Sequence, residues 1–389
     1  MSETMERGTV GEVFRAFLVL GLTSFGGPVA HLGYFREAFV VRRRWLSDAA
    51  YGDLVALCQF LPGPSSSQVG IALGWQRAGY TGAFAAWLAF TLPSVILLLA
   101  FVYGIGIVTP PAGLLHGLKI AAFAVVAVAA WQMAMSLAPD WPRRLVAAAA
   151  AIAVLAIGGN LTQVAVLAVA ALVGALLLKR PDTANAAPSR PSILPLVLFL
   201  ALLALLPFLA ALTADPVAIV ADKFYRAGSL VFGGGHVVLP LLEAELVDPG
   251  LIDRDAFLAG YGAAQAVPGP LFSFAACAGA LLNLPVNGIP GAIIALVAIY
   301  VPSFLLIFGT LPWWYRLRGI GRLRGALDLA NAAVVGLIVA TLYDPVATAA
   351  LTSYWDAALA LAALIMLGYL RWSPWLVVII CAAVGAIAL

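Results

Sequence analysis

Residues 60–70 read FLPGPSSSQVG, and the chain on either side is almost wholly apolar. Proline removes a backbone donor and clashes with the preceding turn, while the residue before it avoids the helical region. Pro62-Gly63-Pro64 therefore predicts a break near the middle of a stretch hydrophobic enough for a membrane. Unsatisfied backbone in lipid costs several kcal/mol per group, so such breaks survive only beside protein or water. A helix restarting at Ser65 would present free N–H groups and the positive end of its dipole. Ser65, Ser66, Ser67 and Gln68 add neutral donors at the same place, which suits an oxyanion. The plainer reading is a proline kink whose serines bond back to carbonyls one turn earlier.

The chain has 389 residues, 63% of them hydrophobic and only 10% charged. A soluble domain carries roughly a quarter charged residues, so the composition predicts a polytopic all-α membrane protein. A β-barrel is excluded, because its strands alternate in segments of about ten residues. The net charge of +3 is small and sits in short loops, a pattern of topology signals and not of nucleic-acid binding. Cys58, Cys277 and Cys381 lie in apolar segments without metal-ligand spacing, so packing is expected of them and neither a disulfide framework nor a metal site. The opening MSETMERGTVGEVF lacks a basic leader and a cleavage site, and removal of a signal peptide is not expected.

Charges, Pro and Gly divide the chain into about thirteen apolar spans. Six fall in residues 1–178, near Val13–Phe35, Ala50–Trp75, Ala83–Val108, Leu114–Leu137, Leu145–Ile157 and Leu161–Leu178. A linker, KRPDTANAAPSRPS, covers 179–192. Seven more fall in 193–389, the first of them extra. The two sides repeat each other: GLTSFGGPVAH at 21–31 aligns with GSLVFGGGHVV at 228–238, and QFLPGP at 59–64 with QAVPGP at 265–270. FTLPS at 90–94 meets IYVPS at 299–303, and Gly82 meets Gly291. Four matches in one order point to two homologous halves, as in many transporters. Seven crossings separate equivalent points, so the halves are expected to be inverted. A cytoplasmic N-terminus puts most loop arginines inside, in line with the positive-inside bias. The run VVRRRW at 40–45 is the exception; either the first span is re-entrant or the cluster serves an anionic solute.

The repeat makes PGP more than a kink. The second copy keeps Gln265, Pro268, Gly269, Pro270 and Ser273 but loses most hydroxyls, so the first half, with Gln59 and Ser65 to Gln68, is the richer binding side. A second break is expected at Gly26, Gly27 and Pro28 and again at Gly233, Gly234 and Gly235. Adjacent glycines favour unwound backbone, against the alternative of close helix packing. His31 and His236 follow these breaks and are either hydrogen-bonded structural residues or proton-handling ones. Ionisable groups within or at the ends of spans are functional candidates by default: Asp53, Asp328 and Glu243 for proton coupling, Lys119 for anion attraction. The bland alternative is that Lys119, Asp328 and the Glu243/Glu245 pair snorkel to the interface. Neither a Walker-A sequence nor HExxH occurs, and GGGH lacks a dinucleotide-site context. No cofactor and no enzymatic activity are expected.

At FGGPVAHLGYF with the downstream RRRW-L, at QFLPGPSSSQ with GWQRAGYTGA beyond it, and at FGGGHVVLPLLE and QAVPGP, the chain resembles the chromate ion transporter family in its long, two-domain form. The resemblance covers nearly the whole chain. It implies gradient-driven export of chromate across the bacterial inner membrane, conferring resistance. Chromate is a tetrahedral dianion like sulfate, and helix N-termini and hydroxyls suit it without over-binding. Arg36, Arg42, Arg43, Arg44 and Arg77 would supply an attractive field at the mouths. The expected partners are a chromate- or sulfate-like oxyanion and the lipid bilayer, with a homodimer as an option. Transport or uptake of another oxyanion and a membrane enzyme are the competing readings.

Overall fold

The computed structural model describes residues 7–24, 27–107, 112–158, 160–178, 192–231, 238–314 and 321–388, and every regular element among them is helical. Five helical runs are long and apolar enough to cross a membrane: 65–104, 116–135, 194–213, 288–313 and 324–350. The sequence spans do not map one to one onto helices. Val13–Phe35 holds α1 (Val10–Thr23, 14 residues) and α2 (Gly27–Phe35, 9 residues), the latter continuing as a π-helical segment, Arg36–Arg42. Ala50–Trp75 holds α3 (Asp48–Phe60, 13 residues) and the start of α4 (Ser65–Ile107). A 13-residue helix is only about 20 Å long, short of the ~30 Å hydrocarbon core. The Pro and Gly breaks thus convert would-be spans into half-length helices.

Helix α4 is bent back on itself, because Ala78 and Gly79 leave helical geometry. Its arms, 65–77 and 80–107, pack through Gly74 and Gly82, each of whose absent Cβ would collide with the other's carbonyl oxygen. The second half repeats the device. A 3-10 turn at Leu271–Ser273 leads into α12 (Phe274–Ala280), which meets α13 (Gly288–Thr310) through Gly279 and Gly291 in the same mutual way.

The remaining helices are α5 (Ala112–Leu137), α6 (Trp141–Ile157), α7 (Asn160–Leu177), α8 (Leu194–Thr213), α9 (Pro216–Leu230), α10 (Val238–Leu246), α11 (Arg254–Ala266), α14 (Gly321–Thr341), α15 (Tyr354–Leu364) and α16 (Pro374–Ala388). They form two compact units, and each unit draws on both sequence halves. The first comprises Met1–Gly104, Ser192–Ser229 and Val267–Leu311; the second comprises Ile105–Pro191, Leu230–Ala266 and Pro312–Leu389.

In the first unit, Phe17, Phe35, Phe39 and Phe90 interlock α1, α2 and α4, with ring centroids 4.8–6.5 Å apart. Such pairs add about 0.5–1.5 kcal/mol each beyond simple burial. Pro93 and Pro302 sit inside helices and free carbonyls one turn back. Gly21 of α1 presses on the backbone there, its absent Cβ 2.7 Å from Phe90 O and 2.8 Å from Ala89 O. Gly228 of α9, its counterpart in the repeat, presses likewise on Ile299 O. In the second unit, α14 packs on α6 and α7, and α16 packs on α5. His116 Nε2 lies 2.9 Å from Asp356 Oδ1, and Asp356 also completes a capping box with Ser353 at the start of α15.

Candidate functional site

The first-half PGP break lies inside the first unit. Leu61 ends α3 in extended geometry, and Gly63 takes φ +123°, a region closed to side chains without strain. Gln68 N bonds Pro64 O at 2.9 Å and closes the first turn of α4. The amides of Ser65, Ser66 and Ser67 precede that bond, so they have no partner within the helix. Ser65, Ser66, Ser67 and Gln68 are all buried, Gln68 completely. The Gln68 side chain turns back, Nε2 donating to Pro62 O at 2.7 Å.

Loose polar contacts surround this helix start. His31 Nδ1 is 3.4 Å from Ser66 Oγ, and its ring stands edge-on to Phe90 at 5.3 Å. Ser67 Oγ is 3.4 Å from the Tyr300 hydroxyl of α13. At 3.4 Å these are weak bonds that leave the hydroxyls free to turn. Ser24 Oγ, Gln68 Oε1 and Ser303 Oγ are buried without a partner among the described residues. Each such atom costs about 1–3 kcal/mol if left unmet, so hydrogen-bonding capacity is left open around this helix start.

The two PGP breaks clasp each other's halves. Gly63 backs onto Ser303, whose Oγ lies 2.9 Å from where its Cβ would be. Gly269, at φ +100°, backs onto Ser94 at 3.0 Å and Phe90 O at 3.1 Å, and its N–H donates to Ser24 O at 2.9 Å. The two sites nonetheless differ in satisfaction. Ser94 Oγ is bonded to Thr91 O at 2.8 Å and Ser273 Oγ to Pro270 O at 2.7 Å, whereas Ser303 Oγ stays unmet. The first-half break holds the open hydrogen-bonding capacity.

Other expected residues fall elsewhere. Gly26, Gly233, Gly234, Gly235 and His236 lie outside the described residues, as does the linker apart from Ser192. Gly27 opens α2, followed by half-buried Pro28. Pro268 and Pro270 flank Gly269 in the first unit and are buried, while Gln59 is exposed. Gln265 belongs to the second unit, where it meets the Tyr261 hydroxyl. Asp53 is half-buried on α3.

Most of the charges expected to attract anions are engaged by carboxylates. Arg36 grips Asp48 with two bonds of 2.7 and 2.9 Å, Arg42 bonds Glu37 at 2.8 Å, and Arg77 meets Glu12 at 3.1 Å. Lys119 meets Asp255 at 2.9 Å and Asp328 meets Arg143 at 3.0 Å. Arg43 stands 6.0 Å from the Trp45 ring, and Arg44 is exposed. Three residues not singled out in the sequence join the site: Ser24, Tyr300 and Ser303. The IYVPS match at 299–303 had marked the last two as part of the repeat. The intrahelical ion pair Asp222–Arg226 on α9 was likewise readable from the sequence as an i, i+4 pair.

Glu243 on α10 is buried, and loss of hydration pushes its carboxyl up to about 8; Arg254, 3.9 Å away, opposes the shift, while Asp248 and Asp344 add to it. A folded chain that keeps this proton while the unfolded chain releases it loses stability as pH rises from about 4.5 to about 8, by at most about 1.4 kcal/mol per pH unit. The melting temperature in detergent is expected to fall over that window, and Glu243→Gln to flatten the fall. An unchanged slope in the variant would place the titration elsewhere.

Chemically the site is neutral, donor-rich and enclosed. Among the described residues no three His, Cys, Asp or Glu side chains converge as metal ligands do. No solved structure matches the chain. A probable chromate transport protein of Synechococcus elongatus is 30% identical over 83% of this chain and 82% of its own length. A chromate transport protein of Pseudomonas aeruginosa is 30% identical over 86% and 80%. An uncharacterized transporter of Methanocaldococcus jannaschii is 25% identical over 84% and 82%. The chromate transporter family model matches twice, at residues 11–175 and 218–386, one copy for each set of FGG and PGP motifs. The motifs that build the site are thus the motifs of both repeats, and the chain belongs to the chromate transporter family.

Proposed function

We propose that this protein is a secondary transporter that exports chromate, or a like tetrahedral oxyanion, across the bacterial inner membrane. The observation that carries the reading is the first-half PGP break. It sets three first-turn amides and three serine hydroxyls on one buried helix start, with the unmet Ser303 hydroxyl behind Gly63. Neutral donors compensate an oxyanion strongly enough to strip part of its hydration yet weakly enough to release it. The clasp between Gly63 and Ser303, mirrored by Gly269 and Ser94, supports an inverted pair of repeats working by alternating access. A cytoplasmic N-terminus, energy from the membrane gradient and a role in chromate resistance complete the proposal.

Purified protein in liposomes, given radiolabelled chromate under imposed pH and voltage gradients, tests it. Wild-type vesicles are expected to move chromate, and Ser65→Ala with Ser66→Ala to slow that at least about tenfold at normal yield, since hydrogen bonds to a charged group are worth ~1.5–3 kcal/mol each. Wild-type rates in the double variant would move the site away from this helix start. Sulfate as the true cargo would show as equal or better competition in the same vesicles.

A further inference from the structure

Beside Gly63 lies a buried acceptor that no donor serves among the described residues. Gln68 Nε2 donates to Pro62 O at 2.7 Å. That contact fixes the amide, because the flipped orientation would bring two oxygens together at the same distance. Oε1 is therefore turned away from Pro62 in a side chain with 0% exposure, and no donor reaches it among the described residues. Ser303 Oγ, also at 0% exposure and unmet, can donate or accept, but an amide oxygen only accepts.

A fully ionised oxyanion brings acceptors alone. It would satisfy the amides of Ser65 to Ser67 and the hydroxyls, yet face Gln68 Oε1 oxygen to oxygen. A singly protonated oxyanion brings one O–H together with its acceptors and matches the whole set. We infer that the site takes the singly protonated form of its tetrahedral oxyanion, with the O–H directed at Gln68 Oε1. The inference rests on the oxyanion-transport reading and adds a selection rule to it. Hydrogen chromate persists towards neutral pH, whereas sulfate has no proton to offer there, so Gln68 separates two anions of nearly equal size and shape. An enzyme site built to bond a substrate O–H rejects the analogue lacking it far more sharply than a size filter does. Each anion bound this way also carries one proton with it.

Ionisable groups on the surrounding elements include His31 on α2, Tyr300 on α13, Tyr51, Asp53 and Cys58 on α3, the Glu12–Arg77 pair of α1 and α4, and Asp222, Lys223, Tyr225 and Arg226 on α9. Imidazole is the one of these side-chain types that ordinarily changes charge near neutrality, so His31→Gln is the control.

The experiment is equilibrium binding of radiolabelled chromate to the purified full chain, with the same pH throughout. Chromate affinity is expected to fall about tenfold per pH unit once the dianion dominates, the signature of one bound proton. Sulfate is expected to compete at least about a hundredfold more weakly than chromate near pH 6. His31→Gln keeps the slope, and Gln68→Leu loses it along with most of the affinity. Flat chromate affinity across the range, or sulfate competing as well as chromate, would overturn the inference while leaving oxyanion transport standing; a resident water on Oε1 would give that result. A slope abolished by His31→Gln would overturn it too, by moving the proton to the imidazole. If chromate neither binds nor crosses at any pH, the transport reading falls and this inference with it.

Discussion

Gly63→Ala is expected to abolish chromate movement in liposomes, and Gly269→Ala to deplete folded protein. Both glycines hold φ far into the positive region, +123° and +100°, where a side chain costs ~1–3 kcal/mol in backbone strain alone. At Gly63 the new methyl would also lie 2.5 Å from Gln68 Nε2 and 2.9 Å from Ser303 Oγ. Both neighbours are side-chain termini that can swing aside, so the protein survives but Gln68 leaves Pro62 O and the helix start loses its hydrogen-bonding arrangement. A transport loss of at least ~100-fold corresponds to about 2.7 kcal/mol, well within the combined cost. At Gly269 one neighbour is backbone: the methyl would lie 3.1 Å from Phe90 O. That carbonyl cannot rotate away, and the damage passes into α4. Detergent-solubilised yield by size-exclusion chromatography, set beside transport rate per folded molecule, separates the two outcomes. Equal transport by Gly63→Ala would place the substrate elsewhere.

The second large effect is expected at the hairpin glycines. Gly74→Leu or Gly291→Leu should leave no monodisperse protein after extraction. In each case even a Cβ would run into a carbonyl oxygen of the facing helix, and three further carbons have nowhere to go in an interior packed like a crystal. Gly104→Leu is the matched control, because nothing lies within 4 Å of a Cβ there. Normal yield from Gly74→Leu would show that the arms of α4 separate in the membrane.

The helical membrane class and both PGP breaks were legible because their causes are local. Apolar length and proline geometry act on the residues that carry them. The repeat was legible as well, and the family model recovers it in two copies. What the chain alone withheld is long-range. Arg77 finds Glu12 across 65 positions, and Ser67 finds Tyr300 across 233. The basic residues looked free to attract anions, yet Arg36, Arg42 and Arg77 are held by carboxylates, one of them as near as Asp48 and another as far as Glu12. Ser303 was visible as part of IYVPS, but nothing in that pentapeptide says that it stands behind Gly63. Apolar length alone makes Ala50–Trp75 read as one crossing, although it holds α3 and the first arm of α4.

The way the two compact units divide the chain bears on how the protein is made. The unit that holds the candidate site closes with Leu311 and takes its earlier segments from 1–104 and 192–229. During synthesis α1 to α4 leave the ribosome first, at ~5–20 residues per second, and must wait in the membrane while more than half of the chain is still being made. Neither sequence half contains a complete unit, so proteolysis or premature termination between the halves strands two partial cores. Biogenesis of this transporter is therefore a problem of holding early helices soluble in lipid, with their broken PGP backbone covered, until their later counterparts arrive.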